Sequence, residues 1–149
     1  MIVKEITYSE ILPCWKKLWT REKYDPFVKM RYKNISCKVI QNPKVTFFGL
    51  IDNQEIVGCN SGFINNIIEE KVYYRSRGLY IDEKYRCKGY SKLLLNATFN
   101  QAKLENADYC WSLPKKSALN AYTSVGFIQT SEFSDWEFGK NCYVLYKIK

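Results

Sequence analysis

The chain has 149 residues, of which 46% are hydrophobic and 26% are charged, and it contains no histidine. This length supports one hydrophobic core, and the balance is typical of a globular protein, so we predict a single domain over residues 1–149. The net charge of +8 favours anionic partners, and the lack of histidine excludes Ser-His-Asp and Cys-His catalysis.

The six cysteines are widely spaced, without a C-x-x-C pair. We therefore expect reduced thiols and no metal site. No apolar stretch approaches the roughly 20 residues that span a bilayer, and the first residues do not resemble a secretion signal. The expectation is a cytoplasmic protein that does not enter a membrane, either a monomer or a homodimer.

In the first half of the chain, the residue patterns predict two strands that pair as a hairpin and, before them, a strand followed by two helices. The first strand covers residues 2–7, and a helix with Pro13 in its opening turn follows Ser9. A second helix is predicted over 26–32, and the hairpin strands over 45–52 and 55–64.

In the second half, strands and helices alternate. The predicted elements are a strand over 72–81, a helix from Gly89 to about Asn106, a strand over 109–113, a helix over 116–124 ended by Gly126, and strands over 126–131 and 142–148. The loop at 132–141 is a candidate substrate-binding loop. These elements predict one α/β (α+β) unit with a mixed sheet.

The most informative segment is the basic turn that follows the strand ending at Ile81. A strand that enters a helix through a glycine-containing turn presents backbone amides at the positive end of the helix dipole, which suits phosphate oxygens. Four cations lie in the same segment, Lys84, Arg86, Lys88 and Lys92. Such clustering fits a pyrophosphate better than a nucleic-acid duplex, which would need a broad basic face.

Two motifs in this half resemble those of the GNAT N-acetyltransferase family. Arg86-x-x-Gly89-x-Ser91 is similar to the acetyl-CoA signature Q/R-x-x-G-x-G/A, with Ser91 at the usual glycine or alanine and Cys87 where a further glycine is common. Ala118-x-x-x-Tyr122-x-x-x-Gly126-Phe127 resembles the block A-x-x-x-Y-x-x-x-G-F. The resemblance covers residues 72–149 well and the first 70 residues only by order of elements.

The resemblance implies a mixed, mostly antiparallel sheet of about six to seven strands, splayed in the middle and flanked by about four helices. It also implies acetyl-CoA as cosubstrate, with the cofactor arm paired to the strand before the turn. The residues implied to bind the cofactor are Leu79, Tyr80, Ile81, Arg86, Cys87, Lys88, Gly89, Tyr90, Ser91, Lys92, Ala118 and Tyr122.

The implied activity is transfer of an acetyl group to a primary amine by direct attack, the amine belonging to a small molecule, a peptide N-terminus or a lysine. The resemblance implies Tyr122 as the general acid for the leaving thiolate and Tyr80 as a second catalytic residue, with amides near Tyr80 and Ile81 at the thioester carbonyl. Some members carry a glutamate base where Arg75 stands. The amine's proton could leave through water relayed by Tyr80 or Glu70, or the amine could bind neutral.

Several alternatives stay open from sequence. Tyr122 could serve packing alone, and Cys110 is expected to be a buried thiol rather than a nucleophile. The acceptor site is expected between residues 22–29 and the acidic, aromatic loop 132–138. The rival functions are a non-catalytic acyl-CoA-binding module and, less favoured, a basic nucleic-acid-binding domain.

Overall fold

An eight-stranded sheet organises the part of the chain that the structure, a computed structural model, describes: residues 1–19, 37–40, 42–136 and 139–149. Its strands are β1 Ile2–Ile6, β2 Cys37–Val39, β3 Thr46–Asp52, β4 Glu55–Ile68, β5 Lys71–Ile81, β6 Tyr109–Ser112, β7 Ile128–Gln129 and β10 Val144–Lys147. Two further strands, β8 Ser134–Asp135 and β9 Lys140–Asn141, form a separate small sheet. The helices are α1 Tyr8–Leu18, α2 Tyr90–Leu104 and α3 Lys116–Ser124.

The main sheet runs in the order β1-β3-β4-β5-β6-β10-β7, and β2 pairs with β4 beside this path. The β5–β6 pairing is parallel, and the other pairings within the described ranges are antiparallel. The predicted mixed, mostly antiparallel α/β fold is therefore confirmed. The strand count exceeds the predicted six to seven by β2, and the helix predicted over 26–32 lies outside the described residues.

Helix α1 begins with a capping box that the sequence supplies at Thr7 and Glu10. The Glu10 amide donates to Thr7 Oγ1 at 3.2 Å, and the Thr7 amide donates to Glu10 Oε1 at 2.9 Å. The prediction that Pro13 lies in the opening turn was wrong, because the helix begins at Tyr8 and Pro13 falls in its second turn. The cap and the buried face of the helix outweigh the one backbone hydrogen bond that proline removes.

The two faces of the sheet pack against different helices. Helix α1 buries Ile11 and Trp15 against one face, near Cys59 of β4. Helices α2 and α3 cover the other face, where Phe99 and Tyr122 join a core with Tyr74 of β5. The central strands are thus buried on both sides, and any site between them is walled by packed side chains.

The sheet opens between β5 and β6. The two strands pair only from Tyr73 to Arg75 on β5, opposite Tyr109 to Trp111 on β6. Strand β5 continues to Ile81, whereas β6 ends at Ser112, two residues before Pro114. The predicted splay is confirmed, and it produces a cleft in the middle of the sheet. In the described residues, no helix is long and apolar enough to cross a bilayer.

Candidate active site

A cavity of about 610 Å³ fills the cleft between β5 and β6. It extends from the floor of the splay to the basic turn before α2. Eleven of the twelve residues predicted to bind cofactor line it: Leu79, Tyr80, Ile81, Arg86, Cys87, Gly89, Tyr90, Ser91, Lys92, Ala118 and Tyr122. The exception is Lys88, which is exposed on the turn and is not among the lining residues.

The turn into α2 has the backbone conformation that the glycine signature predicts. Gly89 has a φ of +79° and caps the helix, and Cys87 has a φ of +61°, in the left-handed region that side chains disfavour. A Cβ atom placed on Gly89 would meet no atom within 4 Å. No backbone hydrogen bond from the amides of Gly89, Tyr90 and Ser91 is found in the described chain, so these donors are available to a phosphate.

Contacts to three other elements hold this turn in place. The Asp82 amide donates to the Val57 carbonyl at 2.8 Å, and its carboxylate forms a 3.1 Å ion pair with Lys17 of α1. The Tyr85 hydroxyl donates to Asp52 Oδ2 at 2.6 Å, and this hydrogen bond raises the pKa of Tyr85 to about 12. The amides at the start of α2 are therefore presented by an anchored loop.

A β-bulge shapes the edge of β5 above the floor. Gly78 and Leu79 together face the single residue Asn60 of β4, and Gly78 has a φ of +84°. The Gly78 carbonyl accepts a 3.1 Å hydrogen bond from Trp15 Nε1 of α1. In the described chain, the residues after the bulge, Leu79 to Ile81, have no strand partner on the β6 side.

Tyr122 lies at the floor of the cleft, 2% exposed, with its hydroxyl between two serines. Tyr122 Oη is 2.9 Å from Ser76 Oγ and 3.0 Å from Ser112 Oγ. Ser112 Oγ also lies 2.7 Å from the Ser76 carbonyl, which can only accept. Ser112 has one hydroxyl proton. When Ser112 donates it in a hydrogen bond to the Ser76 carbonyl, Ser112 Oγ can accept a hydrogen bond from the Tyr122 hydroxyl.

The hydrogen bonds of the floor continue away from the cavity. Asn60 Nδ2 donates to Ser76 Oγ at 2.8 Å and to Thr98 Oγ1 at 2.9 Å, and Thr98 Oγ1 donates to the Leu94 carbonyl. These side chains are buried. Because Asn60 already donates to Ser76 Oγ, the Ser76 hydroxyl can donate its own proton to Tyr122 Oη, and either direction of this bond holds the phenol in place.

The proton affinities of three candidate groups follow from burial. Burial raises the pKa of Tyr122 above the ordinary tyrosine value, so the phenol keeps its proton at neutral pH. Burial also raises the pKa of Tyr80, with a contribution from its hydrogen bond to Asp82. Burial raises the pKa of the Cys110 thiol well above its usual range, which disfavours a thiolate nucleophile.

Sequence reasoning missed several residues of the cavity. Arg75 and Arg77 of β5 line it although they are only 2% and 3% exposed, and Ser112 lines it as well. Asn141, the last residue of the predicted substrate-binding loop at 132–141, also lines it. The late loop was expected at the acceptor site, but its described part, residues 132–136, is not among the lining residues. Residues 22–29 lie outside the described chain, and Glu70 does not line the cavity. Only the pattern of alternate arginines on a buried strand could have indicated the arginine pair.

Among the described residues, no group of three His, Cys, Asp or Glu side chains could hold a metal ion. The arrangement provides amides and cations at one end, an unpaired strand edge along one wall, and a protonated phenol at the floor. Such a site can hold an extended, phosphate-bearing ligand and donate a proton to a group at its far end.

Comparisons with known proteins agree with this geometry. The sequence model of the Acetyltransferase (GNAT) family matches residues 5–127. No curated protein matches the chain. Many solved structures do, all of those described below at low sequence identity, so that each likeness concerns the fold.

Three of these structures are similar over nearly the whole chain. An acetyltransferase of the GNAT family from Staphylococcus aureus has a TM-score of 0.68 at 18% identity, covering 99% of this chain and 98% of that one. FeeM, an N-acyl amino acid synthase from uncultured soil microbes, has a TM-score of 0.71 at 12% identity, covering 99% and 95%. The NatC complex bound to Gag peptide and CoA contains a chain with a TM-score of 0.70 at 14% identity, covering 100% of both.

The family match spans most of the chain, and it includes the basic turn and the helix that carries Tyr122. Both elements contribute residues to the lining of the cavity in the cleft. The chain belongs to the GNAT acetyltransferase family.

Proposed function

We propose that this protein transfers an acetyl group from acetyl-CoA to a primary amine by direct attack. The single observation that carries the proposal is the cavity in the splay, which joins anchored phosphate-binding amides at Gly89 to a buried phenol at Tyr122. An extended cofactor could reach from the amides at Gly89 to the Tyr122 phenol, because one cavity connects them.

The cofactor would lie along β5. Its pyrophosphate would bind the amides of Gly89, Tyr90 and Ser91, with Arg86 and Lys92 neutralising charge. Its pantetheine arm would add to the strand edge at Leu79 to Ile81, where main-chain groups have no strand partner in the described chain. The CoA in the NatC complex supports the cofactor class, since that fold is similar over the full chain.

Tyr122 would act on the leaving thiolate. When the amine attacks the thioester carbonyl, negative charge develops first on the carbonyl oxygen and then on sulfur. The raised pKa of Tyr122 keeps its proton available. The hydrogen bonds that join Tyr122 to Ser112, and Ser112 to the Ser76 carbonyl, orient the Tyr122 hydroxyl. Amides near Tyr80 and Ile81 would stabilise the oxyanion.

The amine would reach the thioester without a carboxylate base from the described lining. No Asp or Glu lines the cavity within the described residues, whereas Arg75 and Arg77 do. Nearby guanidinium groups disfavour the ammonium form, so they favour the neutral amine that attack requires. Its proton would then leave from the tetrahedral intermediate to water or through Tyr80, which holds its own proton at neutral pH.

Two measurements test this proposal. Acetyl-CoA should raise the melting temperature by mass action, by an amount that grows with ligand concentration. Release of the CoA thiol in the presence of primary amines should exceed its release without them. Stabilisation without thiol release would favour the non-catalytic acyl-CoA-binding module, and the absence of both would contradict the proposal.

A further inference from the structure

The floor of the cleft would have to hold a negative charge if Tyr122 acts as the proposed acid. When Tyr122 gives its proton to the leaving thiolate, its oxygen becomes a phenolate. Tyr122 is 2% exposed, so this charge would have little contact with water. A buried charge without hydrogen bonds is costly, and the proposed step therefore needs hydrogen-bond donors beside Tyr122 Oη.

Ser76 of β5 can supply one of these donors. Its Oγ lies 2.9 Å from Tyr122 Oη and 2.8 Å from Asn60 Nδ2. An amide nitrogen can only donate, so Asn60 uses an acceptor position of Ser76 Oγ and leaves the Ser76 proton available to Tyr122. The Ser76 hydroxyl can therefore point its proton at the phenolate.

The orientation of the Asn60 amide follows from its second contact. Asn60 Nδ2 also donates to Thr98 Oγ1 at 2.9 Å, and Thr98 Oγ1 donates to the Leu94 carbonyl at 2.9 Å. Asn60 Oδ1 has no partner among the described residues. Exchanging the two amide atoms would leave two N–H donors without partners in place of one oxygen, which is the costlier arrangement. The nitrogen of Asn60 thus faces Ser76.

Ser112 of β6 can supply the second donor. Its Oγ lies 3.0 Å from Tyr122 Oη and 2.7 Å from the Ser76 carbonyl. While the phenol is neutral, that carbonyl accepts the Ser112 proton. A phenolate is the stronger acceptor, because hydrogen bonds to ionised groups are roughly twice as strong as those between neutral groups. Rotation of the Ser112 hydroxyl would turn its proton to Tyr122 Oη without moving a heavy atom.

We propose that Ser76 and Ser112 form a two-donor site for the phenolate of Tyr122, and that Asn60 orients Ser76 within it. The inference rests on the proposed function and names positioning residues for it. As the carbon–sulfur bond of the thioester breaks, the Tyr122 proton moves to sulfur. The phenolate takes a proton from water after the thiol leaves, which balances the proton that the amine loses.

The proton affinity of Tyr122 agrees with this arrangement. Burial raises the pKa of Tyr122, and its hydrogen bonds to Ser112 and Ser76 lower the pKa against that effect. Two other titratable groups act on Tyr122: the Cys110 thiol of β6 raises its pKa, and Arg75 of β5 lowers it. Replacing either serine leaves both groups in place, so the serine contribution can be measured by itself.

Kinetics of serine variants test the proposal. Ser76→Ala and Ser112→Ala should each lower kcat by about tenfold or more, because the phenolate loses a hydrogen bond. The Kd for CoA should stay the same. Ser61→Ala is the matched control, since Ser61 is 1% exposed and its Oγ donates to the Arg77 carbonyl at 2.6 Å, but it does not line the cavity. It should leave kcat unchanged.

A titration measures the same contribution without turnover. A ring-fluorinated tyrosine in place of Tyr122 has a more acidic phenol, and fluorine NMR follows its ionisation as the pH is raised. Ser76→Ala and Ser112→Ala should each raise the pKa of this phenol, whereas Ser61→Ala should not. An unchanged pKa in both variants overturns the proposal, and so does a raised pKa with unchanged kcat.

The role of Asn60 is tested in combination with Ser76. Asn60→Leu removes the donor to Ser76 Oγ, so it should lower kcat and raise the pKa of the fluorinated phenol. Because Asn60 acts through Ser76, it should add little to either effect in the double variant with Ser76→Ala. Effects that multiply in the double variant contradict this role.

A failure of transfer is distinguishable from a failure of this inference. If acetyl-CoA stabilises the protein but no amine releases thiol, the proposed transfer is wrong. The fluorine titration then decides alone: a higher pKa in the serine variants supports the two-donor site, and the same pKa overturns it. If one serine variant does not fold, the other provides the same comparison.

Discussion

The floor of the cleft and its rim differ in burial and in hydrogen bonding. At the floor, Ser76, Ser112 and Tyr122 are buried and hydrogen-bonded to one another, so each hydroxyl has a fixed partner. At the rim, Gly89 and Lys92 are exposed, and the amides of Gly89, Tyr90 and Ser91 make no backbone hydrogen bond within the described chain. If the proposed function is correct, the floor should control the rate of the chemical step and the rim should control the affinity for the cofactor.

The largest effect should come from the floor. Tyr122→Phe removes the proposed acid, so kcat should fall by roughly 100-fold or more, while the Kd for CoA changes little. The two serines lose a partner, which should lower the free energy of unfolding by about 1–2 kcal/mol. Steady-state kinetics measures kcat, and isothermal titration calorimetry measures the Kd for CoA.

Tyr74→Phe is the matched control for the floor. Tyr74 belongs to the same buried core as Tyr122 but does not line the cavity. Its substitution should leave kcat unchanged. A parallel fall of kcat and affinity in Tyr122→Phe would instead assign Tyr122 a packing role.

The next largest effect should come from the rim. Gly89→Val places a side chain in the open space before α2 and forces a branched residue into a φ of +79°. We expect the Kd for CoA to rise by about tenfold or more, because a phosphate and the new side chain compete for the same space. Binding calorimetry checks this expectation.

Gly139→Val supplies the matched control for the rim. Gly139 also has a positive φ, +119°, and its nearest neighbour, Lys115 Cε, is 3.9 Å from an added Cβ. It therefore carries a similar backbone cost away from the start of α2. Equal CoA affinity in Gly89→Val and the unmodified protein would contradict the proposal that the pyrophosphate binds at Gly89.

The smallest effect should again lie at the rim and concern stability alone. Cys87→Gly relieves a left-handed backbone conformation at φ +61°, at an exposed position. We expect the free energy of unfolding to rise by about 1 kcal/mol, with CoA affinity nearly unchanged. Denaturant unfolding measures the difference, and a loss of stability would mean that the side chain, rather than the backbone, matters there.

The residues of the rim could be predicted from sequence, whereas at the floor only Tyr122 was predicted and its serine partners were not. The rim depends on local signals, because a strand, a glycine and a helix follow one another within Leu79 to Leu94. Likewise, α3 has the predicted bounds, Lys116–Ser124, since Pro114 precedes it and Gly126 follows. Local patterns of this kind need no knowledge of tertiary contacts.

The floor depends on residues distant in sequence. Asn60, Ser76, Ser112 and Tyr122 come from four elements and meet only when β4, β5, β6 and α3 pack. The bulge at Gly78 then changes the register, which periodicity cannot reveal. The short strands β2, β8 and β9 were missed for a related reason, since two or three residues carry too little pattern.

The open edge of β5 also bears on solubility. An exposed strand edge usually invites pairing with another molecule, which leads to aggregation. Here the residues from Leu79 to Ile81 form one wall of a cleft of about 610 Å³, opposite α3. A flexible ligand arm can enter that space, but the edge of a second folded sheet cannot. The protein can therefore retain an unsatisfied edge for binding without the usual hazard of intermolecular sheet formation.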